Sequence, residues 1–285
     1  EKRAVVLPAG RSEPKMVGNP PPTLEVLFRI CHSVHEVVRA ANSSPHRADV
    51  VAMGADGTPT EEIDRLAEAQ ILATLDQEGV AWDVLSEEIG RVHRGGEGLL
   101  VVDPIDGSHN QLRRLPFTAL SLAVGKDSLG GIETGVVHDL ASGTTYWAER
   151  GRGAFRDGEK IRTRAWDPKR ELFFVNLGRH ATPRAVALAG KGRRIRSLGC
   201  ASLEMTMVAQ GSADAYLFDN DVENRNLRVT DIAAAYRILV EAGGGARAIP
   251  GGSLDEFPLD LSRRTPVFAW GDPGFADRAG AEGYV

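Results

Sequence analysis

The chain has 285 residues, 42% of them hydrophobic and 26% charged, and a formal net charge of −5. That length and apolar fraction suffice for a sizeable core, while the acidic balance argues against a dedicated nucleic-acid surface. Cys31 and Cys200 lie far apart without metal-type or redox-type spacing, so no disulfide framework is expected and a reducing compartment, the cytoplasm, suits the chain; no apolar run reaches the roughly 20 residues of a membrane span.

In chain order, residues 1–22, ending in "GNPPP", read as an irregular leader. From Thr23, a plausible N-cap, Leu24, Leu27, Phe28, Cys31, Val34 and Val38 recur at helical spacing. The stretch "GADGTPTEEIDRLAEAQIL" predicts a second helix: Thr58 and Glu61 form a capping box around Pro59, and Ile63, Leu66, Ala67 and Ile71 make its apolar stripe. Beyond residue 95, short aliphatic runs punctuated by glycine predict strands at "GLLVV", "TALSLAVG", "GIETGVVHD" and "GTTYWAER". Strands at "ELFFVNL" and "RRIRSL" follow, with a short helix at 182–190 between them, then helices near 202–210 and 230–242 and a late strand "TPVFAW". Helices and strands are layered rather than strictly alternating, which predicts an α/β protein with sheets packed between helices.

Several local signals have plain readings. "KGRRIR" (191–196) reads as a solvated strand edge, the alternative being an anion site. "GGGARA" follows a helix where a dinucleotide loop must follow a strand, so it reads as a helix C-cap. His32 and His35 share a helix face, but no third ligand is spaced to join them. Leu203, Met205 and Val208 read as core.

The chemistry concentrates in "LLVVDPIDGSHNQL", where Asp103 and Asp106 end a strand of aliphatic residues. Two carboxylates about 4 Å apart repel by about 4 kcal/mol at an effective dielectric near 20, so a cation is expected there. The alternative is a turn, since Pro104 and Gly107 are turn formers and either aspartate can cap a helix. Glu87 and Glu88 of "WDVLSEEIG" and Asp231 of "RVTDIAAAYRILVEAGG" add carboxylates; a solvated helix start and a dipole-favoured residue beside an N-cap Thr230 are their own alternatives. Carboxylates without a histidine or cysteine cluster are the ligand set of hard Mg²⁺, which points to phosphate esters. Gly107 and Ser108 open a short helix whose free N–H groups favour an anion. Asp64 stands one turn before Glu68, a like-charge spacing that needs compensation.

Taken in order, "GADGTPTEEID", "SEE", "DPIDGS" and "TDIAAAYRILVEAGG" resemble the inositol monophosphatase family of Mg²⁺-dependent sugar phosphatases, and most closely its archaeal-type members that hydrolyse both inositol monophosphate and fructose-1,6-bisphosphate. The resemblance runs over about residues 24–275 and includes "GRGAFRDGEKI" and "GCASLEM". It implies an αβαβα sandwich of the sugar-phosphatase type, with residues 23–285 as one phosphatase unit. Within it, about 23–165 would bind metal and phosphate, and about 166–285 would form the substrate side and contribute Asp231.

By the same resemblance, Glu87, Asp103 and the Ile105 carbonyl would hold a first Mg²⁺ and Asp103, Asp106 and Asp231 a second, with two or three ions per site. Asp64 would accept a hydrogen bond from Ser108, and this dyad, with Glu87 acting through the first metal, would activate a water for in-line attack. Asp106, Gly107, Ser108, Gly199, Cys200 and Ala201 would face the substrate. Arg228, with Arg193, Arg194 and Arg196, is a candidate for a second phosphate. Asp56 and Thr58 would sit on a mobile loop. The implied partner is a small phosphorylated polyol or sugar, not nucleic acid or membrane, and the implied assembly is a homodimer.

The chain departs from the family pattern in three places. Thr230 stands where tryptophan is common, His109 where an aromatic residue or threonine is usual, and "LFDNDVENRNLRVTD" is longer and more acidic, making Glu223 a candidate substrate contact. The competing readings are a 3'(2'),5'-bisphosphate nucleotidase and a non-catalytic binding protein of the same fold.

Overall fold

The computed structural model describes residues 22–281, Asp56 and Thr58 excepted, so the expected leader, all but its last residue, lies outside the described residues. Helix α1 (Pro22–Ala41) starts with a proline, whose missing N–H costs nothing in a first turn. Thr23 therefore lies inside the helix and does not cap it. Leu24, Leu27, Cys31, Val34 and Val38 are buried as their spacing predicts, Ile30 is buried with them, and Phe28 packs against this face.

Strands β1 (Val50–Met53) and β2 (Pro59–Glu61) form an antiparallel hairpin ahead of α2 (Glu62–Gln77). This corrects the expected capping box. Pro59 belongs to a strand, the N-cap is Glu61 without a side-chain cap bond, and Thr58 is outside the described residues. Pairing of Thr60 with Ala52 across the hairpin has outweighed the local cap signal.

Then come β3 (Asp83–Ser86), β4 (Gly90–Val92), β5 (Leu99–Asp106), the short α3 (Ser108–Arg113), β6 (Ala119–Gly125), β7 (Ile132–Asp139), β8 (Thr145–Glu149), β9 (Gly153–Arg156) and β10 (Glu159–Ile161). The eight strands from β3 onward form one sheet in the order β10-β9-β8-β7-β6-β5-β3-β4, antiparallel except between β3 and β5. "SEE" thus leaves a strand and does not begin a helix. The second half supplies β11 (Phe173–Val175), α4 (Pro183–Lys191), β12 (Ile195–Arg196), α5 (Ala201–Ala209), β13 (Ala215–Phe218), α6 (Val229–Glu241), β14 (Gly245–Ala248), β15 (Val267–Trp270) and α7 (Pro273–Ala281). Its sheet runs β12-β11-β13-β15-β14.

The two-residue period of each strand sorts its side chains into layers. On β5, Leu100 and Val102 pack with α1 and α2, whereas Leu99 and Val101 pack with α5 and α6. On β13, Tyr216 faces α5 and α6, and Ala215 and Leu217 face α4 and α7. The stack is helices, sheet, helices, sheet, helices, the five-layer αβαβα arrangement. Because α5 lies between two sheets, it is buried nearly all round, Leu203, Met205 and Val208 included.

Two minor expectations also hold. Arg193, Arg194 and Arg196 are exposed beside or on the edge strand β12. After α6 the N–H of Gly243 (φ +97°) donates to Val240 O and that of Gly244 to Leu239 O, the paired closure that a C-cap glycine permits.

Candidate active site

In a regular strand, residues three apart face opposite sides of the sheet. Asp103 and Asp106 escape that rule because β5 bulges: Asp103 pairs with Ser121 and Asp106 with Ala119, so three steps on β5 match two on β6. Pro104, which has no N–H to give a ladder, occupies the bulge. Asp103 Oδ1 accepts the Ile105 N–H at 3.1 Å, which fixes the turn, and both aspartates line one cleft.

Glu87 follows β3, the parallel neighbour of β5, and Asp231 lies in the first turn of α6. Carboxylate oxygens of Glu87, Asp103 and Asp231 lie within 4.8 Å of one another. Burial, then the charges of Glu87, Asp106 and Asp231, hold the Asp103 carboxyl well above its ordinary range. Burial raises Asp231 as well, opposed by Arg228. Left alone, such a cluster keeps protons; three hard oxygen donors with no nitrogen or sulfur donor among them are chemically matched to a hard divalent cation.

Arg228 is itself part of this cluster. Its Nη1 donates to Glu87 Oε2 at 2.8 Å and its backbone N–H to Asp231 Oδ2 at 2.8 Å, so Arg228, and not Thr230, is the N-cap of α6. The guanidinium lies among the acids, with its side chain only 9% exposed. Arg193, Arg194 and Arg196 form no part of the cleft wall.

Asp106 lines the same cleft but is tied to the start of α5. Its Oδ2 accepts from Ser202 N–H (2.6 Å), Ser202 Oγ (2.5 Å) and Cys200 Sγ (3.3 Å), and its Oδ1 from Ala201 N–H at a longer 3.3 Å. Burial lifts its pKa to about 6 against these donors. Oδ1 is therefore the oxygen with capacity left for a cation.

Gly107 turns the chain into α3 at φ +86°, and a Cβ there would stand 2.7 Å from Phe117 O and 3.2 Å from Gly199 O. Asn110 Nδ2 binds both Phe117 O (2.9 Å) and Leu198 O (2.7 Å), pinning α3 against the turn that carries Gly199 and Cys200. Gly107, Ser108, Ile105, Gly199, Cys200 and Ala201 all reach the cleft, whose empty space, open mouth included, is about 560 Å³.

Asp64 is buried on α2, hydrogen-bonded to Glu61, and its charge reaches Asp103. Burial, then Glu61 and Glu88, push its pKa up to about 8. Its Oδ2 has no hydrogen-bond partner, so the expected bond from Ser108 is not closed through that oxygen. Burial likewise lifts Glu68 to about 7 while it accepts the Ile89 N–H. Glu88 accepts from the Thr60 hydroxyl, linking the hairpin to this corner. Asp56 and Thr58 lie outside the described residues, and Glu223 is exposed on a single helical turn away from the cleft wall.

Sequence reasoning missed Glu204, Tyr216, Phe218 and Leu227, which also line the cleft. Glu204 accepts the Leu198 N–H at 2.8 Å, and burial lifts its pKa to about 7. A lone acid inside the apolar "ASLEMTMVA" was the available signal for it. Tyr216 and Phe218 share a strand face whose orientation depends on sheet register.

A sequence model of the inositol monophosphatase family matches residues 20–272. The chain is 35% identical over 263 residues to a fructose-1,6-bisphosphatase/inositol-1-monophosphatase of Methanothermobacter thermautotrophicus, covering 87% of this chain and 91% of that protein. It is 34% identical over 245 residues to a bifunctional NADP phosphatase/NAD kinase of Methanococcus maripaludis, covering 78% of this chain and 42% of that longer protein. A crystal structure of an inositol monophosphatase-fructose 1,6-bisphosphatase matches with a TM-score of 0.77 at 26% identity, over 90% of this chain and 98% of that one. The matched region contains the bulged strand, the turn after β3 and the helix start that bring the acids together, and on that footing the chain belongs to the inositol monophosphatase family and is a phosphatase.

Proposed function

We propose that the chain is a Mg²⁺-dependent phosphomonoester hydrolase acting on inositol monophosphate, fructose-1,6-bisphosphate or both. The observation that carries this reading is the convergence of Glu87, Asp103 and Asp231 beside the bulge that presents Gly107 and Ser108. Glu87, Asp103 and the Ile105 carbonyl are assigned to one Mg²⁺, and Asp103, Asp106 and Asp231 to another, with two or three ions in all. When bound, Mg²⁺ would lower the pKa of the attacking water and neutralise charge on the phosphate.

The remaining roles belong to the chain. Backbone N–H groups at Gly107 and Ser108 are assigned to the phosphate. Asp64, whose Oδ2 lacks a partner, is assigned to accept a hydrogen bond from the Ser108 hydroxyl and so orient it toward the water. Gly199, Cys200 and Ala201 border the leaving alcohol, and the loop of Asp56 and Thr58 is assigned to cover the site. Attack by water in line with the leaving oxygen requires no protein nucleophile.

We also infer that residues 23–285 act as one unit, with about 23–165 binding metal and phosphate and about 166–285 the alcohol. No described helix is long and apolar enough to cross a membrane. Both cysteines are free thiols, which supports a cytoplasmic location, and the assembly proposed is a homodimer, to be checked by sedimentation.

The test is a panel of inositol-1-phosphate, fructose-1,6-bisphosphate, NADP and 3'-phosphoadenosine-5'-phosphate, each with Mg²⁺ and with EDTA. Mg²⁺-dependent release of phosphate from either of the first two is expected. The similarity to an NADP phosphatase favours a second reading, a nucleotide substrate, which turnover of only the nucleotides would establish. Absence of turnover on all four would leave a binding protein.

A further inference from the structure

We propose that Arg228 is a built-in counter-ion of the metal site: it positions Glu87 and Asp231 while no metal is bound, and its charge weakens their hold on Mg²⁺. The inference rests on the assignment of these acids to Mg²⁺ above, and it gives the chain's own cation a part in setting how readily the site loads.

Two distant parts of the site meet at Arg228. Its Nη1 donates to Glu87 Oε2 at 2.8 Å, and its backbone N–H donates to Asp231 Oδ2 at the same distance. Glu87 follows β3 and Asp231 lies in the first turn of α6, so one residue fixes a carboxylate from each half of the chain. Glu87 and Asp231 line the cleft whereas Arg228 does not, so the guanidinium stands behind the acids and leaves their cleft side to a metal. The two paired side chains, Arg228 and Glu87, are only 9% and 15% exposed, so solvent and salt screen the pair little. Burial raises the Asp231 carboxyl, and the Arg228 charge is the largest influence opposing it.

A partner behind a metal ligand usually tightens binding, because a carboxylate or carbonyl that accepts from the ligand raises its basicity. A guanidinium acts in the opposite sense. It has donors only, so it draws on the lone pairs that the metal needs, and its charge repels a divalent ion held by the same carboxylate. Compared with a neutral residue, Arg228 therefore favours the metal-free state over the loaded one.

The test compares Arg228→Met and Arg228→Lys with the parent. Mg²⁺ affinity is read by titration calorimetry at about pH 8.5, where protons compete less for the acids, and melting is followed in EDTA and in saturating Mg²⁺. Arg228→Met should melt below the parent in EDTA and recover most of that loss in Mg²⁺. Its Mg²⁺ affinity should rise by at least about tenfold, which is what one charge repelling a divalent ion about 6 Å away amounts to even at the dielectric of water. Arg228→Lys loses the planar fork but keeps the charge, and should stay within about threefold of the parent affinity. A residue that only braces the fold would lower melting equally in EDTA and in Mg²⁺ and leave affinity unchanged. That result, weaker binding by Arg228→Met, or equal tightening in both variants overturns the inference while leaving the phosphatase reading intact. Should Arg228→Met fail to fold in EDTA, folding on addition of Mg²⁺ supports the inference and failure in both overturns it. Absence of Mg²⁺ binding by the unsubstituted protein sinks both readings.

Discussion

Replacing Asp103 by asparagine should stabilise the protein without metal and weaken it with metal. Carboxylate oxygens of Asp103, Glu87 and Asp231 lie within 4.8 Å of one another, and the charges of Glu87, Asp106 and Asp231 all act on Asp103, so the repulsion on it is at least that of one such pair. At an effective dielectric near 20 that pair is worth about 3 kcal/mol when both are ionised. Asparagine removes it while its amide oxygen still accepts the Ile105 N–H. For a chain of this size, at about 2 °C per kcal/mol, the variant should melt about 6 °C above the parent in EDTA at about pH 8.5. Mg²⁺ at about a hundred times its Kd should raise the parent by about 2.7 kcal/mol, or roughly 5 °C, and the variant much less. The melting curves of the two proteins should therefore exchange much of their order between EDTA and Mg²⁺. A variant that melts below the parent in EDTA, or that keeps the full Mg²⁺ shift, would refute the electrostatic account of the cluster.

Three other outcomes follow from the same geometry. Burial raises Asp103, and Asp64 to about 8, so the native state binds more protons than the unfolded chain: their stabilisation is complete below the unfolded carboxylate pKa and is lost as pH rises. In EDTA the melting temperature should fall between about pH 6.5 and 8.5, above the range in which buried neutral His138, lowered to about 3, acts oppositely, and excess Mg²⁺ should flatten the fall; a rise would show that the acids are ionised without metal. Gly107→Ala forces a side chain into φ +86° and against Phe117 O, which should cost at least about 2 kcal/mol and most phosphate release, measured by melting and by turnover. Asp64→Asn should reduce kcat on the order of a hundredfold with Mg²⁺ affinity, read by titration calorimetry, nearly kept; equal losses would make Asp64 a metal ligand.

The parts of the site that the sequence discloses are those compressed into one stretch. Asp103, Asp106, Gly107 and Ser108 are contiguous, and the aliphatic run before them announces a buried strand whatever surrounds it. That both aspartates share a site was expected, whereas the bulge that brings them to one cleft was hidden, because it is defined only by pairing with β6. Arg228 could not be matched with Glu87, 141 residues away, and so looked like a surface cation awaiting an anion. The start of α2 was misplaced for a similar reason: a cap motif is local, whereas the hairpin that displaced it depends on residues near position 50. His35 does meet another histidine, His138 on β7, but their nitrogens bond to each other at 3.0 Å and His138 is further held by Thr145. That contact spans 103 residues, beyond anything helical spacing can foresee.

The helix layer between the sheets limits how this molecule can move. Asp231 begins α6, and the donors that anchor Asp106 begin α5; α5 is clamped between β6–β7 and β13 with β15, and α6 between β5–β9 and β14. A jaw-like opening between the sheets would have to shear those helices from one partner or the other, exposing apolar surface at every step. Traffic of ester and alcohol must therefore pass over the rim segments while the floor stays still, so selection for faster release should alter the edges of the cleft and spare its base.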